Sequence, residues 1–198
     1  DNRQSRQLEF SVKTCNWNSS NSSFSDSKKD SRATSISTFN TSNSFNVIAD
    51  INKGSNWSTE VNNETVTYST ANNIWQTSAT HYWPGAGSTV DFYAYYPTSI
   101  SGSITHTTGS TPALSYTVPD NAGDQIDILA SAKTDVAGNS YNQTPVDFKH
   151  IFAAVQFQVG SSGLPSGTIS SITISGIKNS GTYTFGSGWS DVTGSKTF

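Results

Sequence analysis

An all-β sandwich is the fold this sequence predicts, and three observations carry the prediction. Short runs with a two-residue apolar alternation recur about every 10 to 20 residues, with Gly, Pro, Asn and Ser between them. A 3.6-residue periodicity is almost absent. Aromatic residues make up 12% of the 198 residues, enough for a substantial core of strand-forming side chains. Charged residues are only 13%, against roughly 25% in an average domain, and hydroxyl and amide side chains stand in their place. The aromatic content argues against the disorder that such polarity otherwise suggests.

Taken in order, Leu8 to Lys13 (LEFSVK) alternates cleanly, with Leu8, Phe10 and Val12 inward and Glu9, Ser11 and Lys13 outward. From Asn16 to Arg32 there is no periodicity, only a polar loop ending in the basic cluster Lys28, Lys29 and Arg32. Phe45 to Ile51 (FNVIADI) places Phe45, Val47, Ala49 and Ile51 on one face. Glu64 to Tyr68 and Asn73 to Gln76 follow, anchored by Tyr68 and Trp75. Thr89 to Tyr96 puts Val90, Phe92, Ala94 and Tyr96 on one face and Asp91, Tyr93 and Tyr95 on the other, and Pro97 ends it. Ile100 to His106 and Ala113 to Val118 read as a hairpin around Thr108-Gly109-Ser110, and Ile126 to Ala132 as the next strand.

Val146 to Val159 (VDFKHIFAAVQFQV) is the densest apolar run, and its alternation changes phase between Phe148 and Ile151. As one strand it would run roughly 46 Å, longer than usual. The reading is therefore a short edge piece to Phe148, a kink at Lys149 and His150, and a buried central strand over Ile151 to Val159. Thr168 to Ile174 and Gly181 to Phe185 form a last pair. The expected organisation is one sandwich domain over 1–188, with residues 189–198 as a linker or the start of a further domain.

Chemistry-bearing constellations are weak. The three histidines (His81, His106, His150) lie near no G-x-S-x-G elbow, and with the single Cys15 they offer no zinc spacing. His150 is expected as a hydrogen-bonded structural imidazole. Asp120, Asn121, Asp124 and Asp127 resemble a calcium loop, but the template positions for Gly and Glu hold Gln125 and Ser131, so an Asp/Asn turn explains them. Glutamate occurs only at 9, 60 and 64, which gives no defined carboxylate pair for glycoside hydrolysis. No catalytic, cofactor or metal residues are expected, and the chain is not read as an enzyme. A net charge of -3 argues against nucleic acid, and no stretch is apolar enough to span a membrane. Trp57, Trp75, Tyr82, Trp83, Tyr93, Tyr95 and Trp189 leave a glycan-binding face as an alternative, with core packing as the bland explanation.

The ordered set LEFSVK, Ser31-Arg32-Ala33, Tyr82-Trp83-Pro84, Asp91 to Pro97, Asp127-Ile128-Leu129-Ala130, Phe148-Lys149-His150 and Ile172-Thr173-Ile174 with Gly176, Gly181 and Thr182 resembles the fimbrillin-like family of surface proteins and type V pilins. The resemblance spans about residues 8 to 189. It implies a two-sheet Greek-key sandwich of the transthyretin-like kind, exported as a lipoprotein to the outer membrane and built into fimbriae or tip adhesins. It also implies that an Arg-specific protease removes the first strand with its loop, a pro-segment over 1–32. The groove left behind accepts a donor strand from another fimbrial subunit. Arg32 and Ala33 match the cleavage site, and Leu8, Phe10 and Val12 mark the exchangeable strand. Further partners would be a host or bacterial surface protein or glycan, and membrane contact would come only through a lipid anchor outside this chain. The residues support the idea independently: a short amphipathic strand on a loose tether can leave, and the apolar groove it vacates has the unpaired backbone that strand addition needs.

Overall fold

The computed structural model describes residues 6–13, 36, 38–155, 157, 163 and 166–198. The strands are β1 (Phe10–Lys13), β2 (Phe45–Lys53), β3 (Asn56–Ser69), β4 (Ile74–Thr77), β5 (Thr89–Tyr96), β6 (Ile104–Thr105), β7 (Ala113–Thr117), β8 (Leu129–Ala137), β9 (Thr144–Asp147), β10 (Lys149–His150), β11 (Ser180–Thr184) and β12 (Gly188–Thr193). They form an eight-stranded sheet in the order β10-β8-β5-β2-β3-β4-β1-β9 and a four-stranded sheet in the order β12-β11-β7-β6. The protein is an all-β sandwich.

β5 and β2, third and fourth in that order, are interior strands with both of their faces covered. Alternation sends Phe45, Val47, Ala49 and Ile51 of β2 and Val90, Phe92 and Ala94 of β5 into one core. Ile48, Tyr93 and Tyr95 point the other way, into a second core completed by Leu114 of β7, Phe185 after β11, and Ile100, Ile128 and Ala130. Gly54 and Ser55, both in the left-handed region (φ 58° and 77°), make the tight turn joining β2 to β3, where Lys53 pairs with Asn56. β3 thus begins at Asn56, well before the expected Glu64, because a hairpin with a two-residue turn extends both strands to the tip.

β9 and β10 are the two outermost strands of the large sheet, yet only Phe148 separates them in the chain. Two residues of extended chain reach no more than about 7 Å, so the sheet must roll until its edges nearly meet. Phe148 sits in the seam, buried against Phe39 and Phe45 with ring centroids 5.2 Å away from each. This is the physical content of the phase change in VDFKHIFAAVQFQV. The edge piece lies where the periodicity placed it, but the bend falls at Phe148, and Lys149 and His150, expected as the kink, pair with Leu129 and Ala130 as β10.

Of the expected central strand over Ile151 to Val159, the described residues, 151–155 and 157, are not in a strand. Ile151 and Phe152 are half-buried against the second core, and beyond them Val155 is 60% and Phe157 53% exposed. The reason is visible at Trp189, whose indole Nε1 donates to the Ile151 carbonyl at 2.6 Å while its ring stacks on Phe152 at 5.3 Å. These contacts lead the chain off the rolled sheet and over the smaller one. Thr168 to Ile174 is likewise not a strand; β11 pairs instead with β7 and β12. Trp189 and its neighbours, expected as a linker or the start of a further domain, supply β12 of the smaller sheet, and Ile177 bridges to Lys196 beyond it.

Candidate strand-exchange site

β1 is second from the edge of the large sheet, with a neighbour on each side. Along β9 it runs parallel, pairing Phe10 with Thr144, Ser11 with Pro145, Val12 with Val146 and Lys13 with Asp147. Pro145 lacks a donor and is tolerated because β9 is the edge. Against β4 there is a single antiparallel pair, Phe10 with Trp75. The residues before β1 are held by the segment after β4: the Leu8 amide donates to the His81 carbonyl, and the Trp83 amide to the Arg6 carbonyl, both at 2.8 Å. On the opposite wall the Thr144 amide donates to the Glu9 carbonyl at 2.8 Å.

Leu8 and Phe10 are buried and Val12 is half-buried, all in the first core. Phe10 meets Phe45 and Phe92 edge-on at 6.3 and 5.9 Å. Burying each such side chain is worth roughly 1.5–3 kcal/mol, so the strand is held mainly by two or three apolar side chains and a short ladder. Trp83 Nε1 and Thr144 Oγ1, in segments that flank β1, are buried without a hydrogen-bond partner among the described residues.

Arg32 and Ala33, the expected cleavage site, lie outside the described residues. Downstream of them the chain is anchored at two points. The Ile36 amide donates to Asp127 Oδ2 at 2.8 Å, and Asp127 Oδ1 also bonds His150 Nδ1 at 2.9 Å. Phe39 then inserts among Phe45, Trp75, Tyr96 and Phe148, with centroids 5.2 to 5.9 Å away. His150 is thus a hydrogen-bonded structural imidazole, as its place in the sequence suggests. The turn at Asp120–Asp124 is closed by Asn121, whose Oδ1 accepts from the Gly123 amide at 3.1 Å, while Asp120 pairs with Lys196 at 2.9 Å.

One feature of the site has no sequence signal of its own. His81 places Nδ1 3.2 Å from Glu60 Oε1 and Nε2 2.8 Å from Glu64 Oε1. Four residues along a straight strand span about 13 Å, too far for one imidazole to bridge. β3 shortens the gap by carrying two extra residues relative to β2, one on each side of Val61. Burial works against charge on the imidazole, but the hydrogen bonds to Glu64 and Glu60 outweigh it and hold its pKa above the ordinary 6.5.

Most of the aromatics named for a glycan-stacking face are packed inside the protein. Trp75, Trp83 and Tyr95 are 7%, 6% and 0% exposed, and Tyr93 is buried. Gly109 packs on the Trp57 indole so closely that a Cβ there would lie 2.6 Å from Cγ. Trp57 and Tyr82 are exposed, and Trp189 is engaged with Phe152.

Comparison with known proteins agrees with this architecture. No curated protein and no solved structure matches the chain. The family described as fimbrillin-like matches residues 31–197, most of the sequence. The chain belongs to the fimbrillin-like family.

Proposed function

We propose that this fimbrial subunit assembles by strand exchange at the β1 slot. Family membership supports a structural role at the cell surface, made through contacts with other fimbrial subunits. In the proposed cycle an Arg-specific protease cuts between Arg32 and Ala33, β1 departs with its tether, and a strand from another subunit takes its place beside β9 and β4. Delivery as an outer-membrane lipoprotein and a part in adhesion belong to the same reading.

The observation that carries it is the position of β1: next to the edge and joined to β4 by one pair. The family match starts at Ser31, beside the cleavage pair, and leaves β1 outside. The chain after the cut has its own anchors at Ile36 and Phe39, so the body does not depend on β1 to hold residue 36 onward. Arginine occurs only at 3, 6 and 32, which makes limited digestion of the native chain a clean test. Cleavage after Arg32, followed by oligomers with full-length subunits on a sizing column, is expected. Resistance at Arg32, or a cleaved chain that stays monomeric with its first strand bound, would remove strand exchange.

A further inference from the structure

The histidine whose backbone holds the segment just before β1 is the same histidine whose ring is wedged between two carboxylates. The His81 carbonyl accepts the Leu8 amide, Tyr82 bridges to Gln7, and Trp83 donates to Arg6, so residues 81–83 form one wall of the slot. A neutral imidazole has one N–H; facing Glu60 and Glu64 it can donate to one and must turn a lone pair toward the other. The imidazolium donates to both. Among the described residues, the charged groups acting on the ring are Glu64 and Glu60. Glu9 of the N-terminal segment lines the same cleft, with Gln7, Gln76, Thr77, Ser78 and Thr80. Two of the chain's three glutamates, Glu60 and Glu64, therefore flank this imidazole.

We propose that His81 is a pH-sensitive latch on β1: the imidazolium between Glu60 and Glu64 pins residues 81–83 against residues 6–8, and losing its proton loosens that wall of the slot. As a regulator of exchange the latch rests on the reading of β1 as the exchangeable strand; as a pH-dependent contact it stands by itself. The sign follows from linkage. A histidine whose pKa is raised on folding contributes stability that is complete below about 6.5, its unfolded value, and is lost as pH rises through the folded value. β1 is held most firmly in mildly acidic surroundings and released more readily at neutral to alkaline pH. The β9 wall, made by the Thr144 amide on Glu9 O and the parallel ladder, does not share this dependence.

Amide hydrogen exchange on the intact chain tests the latch without any cleavage, because local opening of residues 6–8 exposes the Leu8 and Trp83 amides. Protection factors, corrected for the intrinsic pH dependence of exchange, are compared from about pH 5.5 to about 9 with Val47 of β2 as reference. Protection at Leu8 relative to Val47 is expected to fall by a factor of about two to five, the range of partly exposed ion pairs. His81→Gln should flatten the profile, and Glu64→Gln, which leaves the imidazole in place, should move the fall to lower pH. A flat profile in the parent chain, or the same fall in His81→Gln, overturns the latch. Such a result leaves strand exchange untouched, whereas a cleaved chain that never yields β1 at any pH removes exchange and leaves the contact intact.

Discussion

Phe10 and Asp50 show what a single side chain does on each face of the large sheet. Phe10 fills the first core against Phe45 and Phe92, and Phe10→Ala is expected to lower stability by about 3–5 kcal/mol in urea unfolding. Ser11→Ala, on the outward face beside it, should stay within about 0.5 kcal/mol. Asp50 lies on the second face, only 1% exposed, and its carboxylate accepts from Thr59 Oγ1 at 2.7 Å, the Gly109 amide at 2.8 Å and His106 Nε2 at 2.7 Å. Asp50→Ala strips all three donors of their acceptor, and a loss of about 3–5 kcal/mol is expected in the same assay. The apolar residue was legible in the sequence because alternation marks its face. The buried carboxylate was not, because two of its partners stand 56 and 59 residues away and alternation says nothing about which polar residues meet. His81 is the same case: its role depends on two extra residues in β3, which no local pattern announces.

Among elements, the stretch from Val146 to Val159 separates what periodicity can and cannot settle. The break at Phe148 was legible, since one chain cannot keep both phases on one face. The fate of the residues beyond it was not, because an apolar alternation states which side chains want cover and not which element supplies it. β5 and β2 are the interior strands with both faces covered, and Trp189, more than thirty residues on, draws Ile151 and Phe152 aside. Two substitutions discriminate these roles: Phe148→Ala should cost about 3–5 kcal/mol, as a buried ring in the seam. Val155→Ser, at an exposed position, should cost no more than about 0.5 kcal/mol. A large loss at Val155 would restore the central-strand reading. β1, by contrast, sits where its pattern put it, near an edge with Leu8, Phe10 and Val12 toward the core.

At the scale of the whole molecule, the rolled sheet gives the account its logic. Closure through Phe148 ties the two edges together by the chain itself, so in the proposed exchange β9 would stay attached through Phe148 and β10. The exchange would remove one short strand with two or three core side chains and leave a groove with an apolar floor, the β9 ladder on one wall and β4 on the other. A strand of the same pattern from another chain can refill it. The most direct measurement is native mass spectrometry of the chain cleaved after Arg32 and offered a synthetic peptide of the sequence Arg6–Lys13. The account predicts that the excised segment dissociates, that residues 33–198 take up one peptide, and that a peptide with Ser in place of Phe10 does not bind. A body that keeps its original segment against excess peptide, or that binds the Ser peptide equally well, would contradict it.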